Sequence, residues 1–197
     1  MAKSDPSSIK KERKKTIRWV ITIFLVTIFV SGMITFLSDI IMEGSSMIVA
    51  FLILFVIVFV GIIFDVIGMA VATADEKPFH SMAARRVPGA QESIRLLRNA
   101  ERVSSICNDV VGDICGVVSG TASATIAAQV LAKMDSFAWP QLIVLSMSAL
   151  AAGLTVGGKA IGKTYAIKSC TTIVHNVGKI IGIILRFPQR LKRKKKS

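Results

Sequence analysis

The chain has 197 residues, of which 52% are hydrophobic and 19% charged, and its 25 Lys and Arg outnumber its 12 Asp and Glu to give a formal net charge of +13. This apolar composition excludes a disordered chain, whose hydrophobicity would be low. A basic nucleic-acid binder would share the high charge, but here the basic residues lie at the edges of long apolar runs. The composition indicates an integral membrane protein, and we expect no nucleic-acid partner.

Four apolar segments approach the roughly 20 residues that a helix needs to cross a bilayer. They run from Trp19 to about Leu37, from Met47 to about Thr73, from about Ser105 to Leu131, and from Phe137 to about Val156. The first exceeds the apolar core of a signal peptide and has no small-residue cleavage site after it, so we expect it to be retained as an anchor. The sequence therefore predicts an all-α integral membrane protein with about four transmembrane helices.

The distribution of basic residues predicts the orientation. Seven Lys and Arg lie in 1–18, six in 74–104, four in 157–185 and seven in 186–197, whereas the two remaining connectors together contain only Lys133. Since basic residues favour the cytoplasmic side, both termini are predicted to be cytoplasmic in a multi-pass protein of the cell membrane. The basic N-terminus and the basic tail would face the anionic lipid of the inner leaflet, which we expect as a partner.

Two further segments predict amphipathic juxtamembrane helices on the cytoplasmic side. After Gly89, the run AQESIRLLRNAERV places Ile94, Leu97 and Val103 toward one side, which is typical of a helix on the inner leaflet. An ordinary solvated helix is the alternative. Residues 157–185 carry lysines among apolar residues at helical intervals, too often for a span, and predict a juxtamembrane helix or pair of helices.

Three ionisable residues lie within the predicted spans, where such residues are expensive and indicate function. These are Asp65 in the second span and Asp109 and Asp113 in the third, with Asn108 beside them. Asp65 and Asp113 fall at about the same depth, so antiparallel neighbours could bring the two carboxylates together. Oxygen ligands of this kind suit a hard cation such as Mg²⁺.

Two other interpretations of these acids stay open. The carboxylates could form structural ion pairs with Lys159 or Lys163, or they could serve a proton or substrate relay. Asp65 facing Asp113 across a wet cavity would favour cation binding, whereas acids in contact with lysines would favour a structural role.

The third span also carries small residues at a spacing that favours helix association. Gly112, Gly116 and Gly120 repeat every four residues, which lets backbones approach closely. The pattern does not distinguish packing within the chain from a homodimer. No nucleophile elbow, phosphate loop or zinc-protease motif is visible, so we expect no enzyme activity.

Three segments together resemble the transmembrane domain of the CorB/CorC and cyclin-M magnesium-transport family. They are IFDVIGMAV (63–71), ICNDVVGDI (106–114) and GGKAIGK (157–163). The likeness covers about 46–185 and leaves 19–45 as an additional helix and turn. It implies a homodimeric magnesium transporter, here a divergent member without the family's CBS pair.

The motifs depart from the family pattern at its acids. Two family glutamates correspond to Gly68 and Lys159, whereas Asp65 and Asp109 stand at positions that are Ser and Asn in the family. Lys163 matches the family's lysine. The Lys159 ammonium could therefore occupy the cation's place.

Two functions follow as the main hypotheses. The first is a divalent-cation transporter, for Mg²⁺, whose ligands would be Asp65, Asn108, Asp109 and Asp113. The second is a non-transporting membrane scaffold or assembly partner whose acids are paired with lysines. A lipid-handling protein, the third class, is favoured only by the basic surfaces.

The orientation gives a first testable prediction. Cysteines introduced at Ser45 or Ser136, in the two connectors that lack the basic clusters, should react with a membrane-impermeant maleimide added outside intact cells. Labelling of either position only from the inside would overturn the predicted topology.

Overall fold

The structure, a computed structural model, describes residues 6–42, 45–132 and 139–194, and within these ranges it contains helices and no strand. The elements are α1 (Pro6–Met42), α2 (Met47–Thr73), α3 (Lys77–Ala84), α4 (Ala90–Arg98), α5 (Ala100–Ser105), a π-helical segment (Ile106–Gly112), α6 (Asp113–Ala132), α7 (Pro140–Lys168) and α8 (Cys170–Lys194). The predicted all-α class is confirmed. The start of the predicted fourth span and Lys133 lie outside the described residues.

Four of these helical stretches are long and apolar enough to cross a membrane. They are Thr16–Met42, Met47–Thr73, Ala100–Ala132 and Gln141–Lys168. The third is one continuous stretch made of α5, the π-helical segment and α6. The number of spans therefore agrees with the sequence prediction.

The centre of the bundle is formed by α2, α6 and α7, held at close distances by glycines. A Cβ at Gly61 of α2 would lie 2.8 Å from the Cβ of Cys115 in α6, and one at Gly162 of α7 would lie 2.7 Å from a methyl of Val66 in α2. Small residues permit this approach of backbones. The pairings run in opposite directions along α2 and α6 and in the same direction along α2 and α7.

The first span, α1, lies at the periphery of the bundle. Its most apolar stretch is 0% buried inside the structure. Ile23 and Val30 pack against a small cluster of α6 that includes Val118. At the end of α1, the carbonyl oxygen of Met42 accepts a hydrogen bond of 3.1 Å from the side-chain amide of Gln129 in α6. The remaining apolar surface of α1 is available to lipid.

A layer of shorter helices covers the end of the bundle at which α2 and α7 terminate. This basal layer, formed by α3, α4 and α8, shares one apolar core with the ends of the two spans, whose buried members are Ala70, Val71, Phe79, Ile94, Leu97, Ala166 and Val174. Ile94 and Leu97 are therefore covered by protein. The interpretation of α4 as a helix with its apolar face on the inner leaflet is wrong, because that face packs against α3, α8 and the end of α2.

The juxtamembrane helix or pair of helices predicted for 157–185 is present only in part. The fourth span, expected to end at about Val156, continues in α7 without interruption to Lys168, and α8 forms the remainder of the segment. The residues between the lysines are helix-compatible, and Gly157 and Gly158 do not end the helix. As a result Lys159 and Lys163 lie on the same rigid helix as the fourth span.

Close packing of α4 on α8 depends on two glycines. Gly89 begins α4 with φ of 88°, a left-handed conformation, and lies against the backbone of Lys179. A Cβ at Gly178 of α8 would lie 2.6 Å from the Gly89 carbonyl oxygen. Ser93 links the two helices, because its hydroxyl oxygen lies 2.9 Å from the Gly89 carbonyl oxygen and 3.1 Å from the Val174 carbonyl oxygen, which share its single proton.

We predict that Gly178→Ala destabilises the protein by about 1–3 kcal/mol, because the added methyl overpacks a backbone contact that cannot give way. Gly157→Ala is the matched control, since a Cβ there meets nothing within 4 Å. Unfolding by SDS titration in mixed micelles measures both. Equal stabilities of the two variants would contradict the described α4–α8 contact.

Candidate functional site

Asp65 is the only buried acid among the described residues, with 3% of its surface exposed. It lies in α2 eight residues before the helix ends at Thr73, which corresponds to about 12 Å along the helix axis. Its Oδ2 is 3.6 Å from Lys159 Nζ and 3.9 Å from Lys163 Nζ. Lys159 and Lys163 are four residues apart on α7, so both ammonium groups reach the same carboxylate. We call these three residues the ion triad.

The third span joins the triad through its backbone. Lys159 Nζ donates a hydrogen bond to the carbonyl oxygen of Gly112 at 3.3 Å. Gly112 is the last residue of the π-helical segment, in which the wider turn takes carbonyl groups out of the regular α-helical pattern. The triad therefore connects α2, the third span and α7 at one depth.

The Asp65 carboxylate occupies the space that a side chain at Gly112 would need. A Cβ at Gly112 would lie 2.7 Å from Asp65 Oδ1 and 3.3 Å from Lys159 Nζ. The predicted depth of Asp65 relative to the third span thus agrees with the structure to within one residue. Gly112 and not Asp113 faces the carboxylate.

The other two predicted acids lie away from the triad. Asp113 is exposed on the surface of the described chain, and Asp109 is exposed and accepts a hydrogen bond from the Ser105 hydroxyl at 2.7 Å. The interpretation in which Asp65 and Asp113 share a site is wrong. Neighbouring residues of a helix point about 100° apart, so a correct depth does not bring Asp113 inward.

Asn108 faces the interior beside the triad. Its side-chain nitrogen donates to the Ser104 hydroxyl at 3.3 Å, and its Oδ1 is buried and accepts no hydrogen bond from the residues that the structure describes. A Cβ at Gly68 would lie 2.8 Å from the Asn108 Cγ. The amide of Asn108 therefore fills the space that a larger residue at Gly68 would need.

These residues do not fit a Mg²⁺ site. In the described part of the chain, no group of three or more His, Cys, Asp or Glu side chains is placed to hold a metal ion. Mg²⁺ requires oxygen ligands in near-octahedral geometry, whereas the single buried carboxylate is flanked by two ammonium groups. Because opposite charges already neutralise Asp65, a divalent cation there would meet net repulsion.

The charges of the triad explain why the buried carboxylate and the two lysines lie together. An isolated carboxylate in an apolar interior is strongly destabilising, and a paired one is tolerated when further hydrogen bonds satisfy its partners. Lys159 meets this requirement through Asp65 and Gly112, with 20% of its side chain exposed. Lys163 is 45% exposed, so the triad reaches the surface of the described chain at this residue.

The stripe of small residues continues beyond Gly112 without a close contact inside the chain. A Cβ at Gly116 or at Gly120 would meet nothing within 4 Å among the described atoms. Both glycines line a groove of about 240 Å³ between α6 and α7, together with Ser148 and Thr155. Gly116 and Gly120 therefore make no close contact within the described chain, and their role in a homodimer stays a prediction.

Comparison of the chain with protein-family models, with curated proteins and with solved structures gave no match. The resemblance to the magnesium-transport family stays a prediction that depends on the three sequence motifs.

We predict that Asp65→Asn destabilises the protein by about 3 kcal/mol, because it leaves the largely buried Lys159 ammonium, 20% exposed, without its counter-ion. This is the lower end of the range for a broken buried pair, since Lys163 can turn toward solvent. Asp113→Asn is the matched control and should change stability by less than about 0.5 kcal/mol, as expected for an exposed residue. SDS titration measures the stability of both variants. An Asp113→Asn protein that is less stable than the Asp65→Asn protein would contradict the described site.

Proposed function

We propose that the chain is a non-transporting membrane scaffold or assembly partner, in which the Lys159 ammonium takes the place that a transported cation would occupy. The observation that supports this is the pairing of Asp65 with Lys159 and Lys163 at 3.6 Å and 3.9 Å. Lys159 stands where the magnesium-transport family that the motifs resemble has a glutamate. This one difference would replace a carboxylate that can bind a cation by a residue that is itself a cation.

A tethered ammonium is a strong competitor for a free ion. Lys159 is held on α7 and its effective concentration at Asp65 is set by a short tether, in the millimolar range or above. An incoming Mg²⁺ would have to shed part of its tightly held water and displace the ammonium as well. Displacement would also remove the hydrogen bond that Lys159 donates to Gly112.

A scaffold gains from the same contacts that a transporter would have to break. The triad ties α2, the third span and α7 into one unit, and the ends of α2 and α7 belong to the core of the basal layer. Through this connection the membrane bundle fixes the position of α3, α4 and α8. The resulting surface of basic and polar residues is the part of the chain that a cytoplasmic partner would contact.

Transport of Mg²⁺ is the second candidate, and one observation favours it. The buried Asn108 Oδ1 lacks a hydrogen-bond donor among the described residues and is a hard oxygen of the kind that Mg²⁺ prefers. A transporter that uses Asn108 would bind its cation beside the triad with Asp65 still paired.

The two functions differ in a flux measurement. Wild-type protein in proteoliposomes that contain a Mg²⁺-sensitive dye should give no flux above that of empty liposomes. Mg²⁺ flux by the wild-type protein that is lost in Asn108→Ala and kept in Asp113→Asn would overturn the scaffold proposal in favour of transport.

A gain of Mg²⁺ binding makes the test positive as well. Lys159→Glu restores a carboxylate beside Asp65, so Mg²⁺ should stabilise this variant by roughly 2.7 kcal/mol at a hundred times its dissociation constant. Lys159→Gln is the matched control, because it removes the ammonium without adding a ligand, and neither it nor wild type should respond. Stabilisation of wild type by Mg²⁺ that Asp65→Asn abolishes would contradict the proposal.

A further inference from the structure

Helix α8 presents two different faces along Cys170–Leu185. Val174, Gly178 and Gly182 form a buried stripe at intervals of four residues, and the glycines lie against Ser93 and Glu92 of α4. The opposite face carries Ile180, Ile183 and Ile184, which are 57–66% exposed, and Leu185 follows at 51%. A continuous run of large apolar side chains on the surface of a folded chain indicates a further binding surface.

This apolar face is too short to be a span. Cys170–Leu185 is the one shorter apolar helix found among the described residues, and its 16 residues cover about 24 Å, below the roughly 30 Å of the hydrocarbon core. Lys179 lies within it and is exposed. A short helix with one apolar face and flanking basic residues is typical of an element that lies in the plane of the membrane surface.

The position of α8 in the fold brings this face to the height of a membrane surface. A single residue, Ser169, separates α8 from the end of α7, which is a candidate span. The buried stripe of α8 packs on α4, so the isoleucines on its opposite face point away from α4. Because α8 follows a candidate span so closely, lipid around that span would be an apolar phase within reach of these isoleucines.

The charge of the chain that follows specifies the lipid. Residues 186–197 contain seven Lys and Arg and no Asp or Glu, and α8 extends to Lys194. Positive charge adjacent to an apolar helix face is complementary to anionic headgroups. Zwitterionic lipid would satisfy the isoleucines but not the charge.

We propose that α8 is a membrane-surface anchor, with Ile180, Ile183 and Ile184 inserted among the acyl chains of one leaflet and residues 186–197 bound to anionic phospholipid. The anchor would hold the basal layer against the leaflet through α4. This inference does not depend on the ion triad or on whether the chain transports a cation.

Quenching by brominated lipid tests the insertion. Full-length protein with Trp19→Phe and Trp139→Phe receives one new tryptophan, Ile184→Trp, and is placed singly in nanodiscs of phosphatidylcholine and phosphatidylglycerol. The matched control is Gln91→Trp, an exposed position of α4. We expect bromolipids to quench the emission of Ile184→Trp strongly and that of Gln91→Trp little, with the emission of Ile184→Trp shifted to the blue.

A second variant tests the charge. Replacing the basic residues of 186–197 by Gln, or using phosphatidylcholine alone, should decrease the quenching of Ile184→Trp, since each basic residue near an anionic surface contributes roughly a five-fold preference. The same loss should appear when the salt concentration is raised. Ile180→Trp repeats the measurement at a second exposed position and guards against a fault of one variant.

Three results would overturn the proposal. Quenching of Ile184→Trp by aqueous iodide and not by bromolipid would show that the face is in water. Blue-shifted emission without bromolipid quenching would show that protein covers it. Quenching that is equal with and without phosphatidylglycerol, together with binding of the basic tail to added RNA, would show that the charge serves a nucleic acid and not the lipid.

Discussion

The burial of one carboxylate within the membrane-spanning bundle is the constraint on which the rest of the structure depends. Asp65 lies in α2 about 12 Å from its end, where an unpaired charge would be strongly destabilising. Two lysines of α7 neutralise it, and the nearer one, Lys159, also binds the Gly112 carbonyl. These contacts require α7 to continue as a helix past its apolar part, a residue without a side chain at Gly112, and a Gly112 carbonyl oxygen within reach of Lys159. Each of these features is present.

The sequence was sufficient to predict the class of fold and the number of spans, because long apolar runs bounded by clusters of basic residues are typical of membrane-spanning helices. It was also sufficient for the depth of Asp65 relative to the third span. It could not fix which side of that span faces Asp65, because depth along a helix does not determine the direction in which a side chain points. Gly112 lies where Asp113 was expected, so Asp65 is paired with two lysines and not with a second acid.

The amphipathic segments show a similar limit. Periodicity identified an apolar side on α4 but could not tell whether lipid or protein covers it, and the structure assigns Ile94 and Leu97 to the core of the basal layer. The exposed apolar face belongs instead to α8, where glycines occupy the packed side and isoleucines the open one. Glycines at intervals of four residues suggest a weakly stable helix when only the sequence is considered. In α8 they mark the side that packs most closely against another helix.

The coupling between Asp65 and Lys159 tests the account most directly. A double-mutant cycle with Asp65→Asn and Lys159→Met, followed by SDS titration, should give an interaction free energy of roughly 1–3 kcal/mol, with the double variant more stable than the sum of the two single losses implies. The matched cycle with Lys168→Met, an exposed lysine of the same helix, should be additive. Additivity of Asp65→Asn and Lys159→Met within about 0.5 kcal/mol would contradict the ion triad and the function proposed from it.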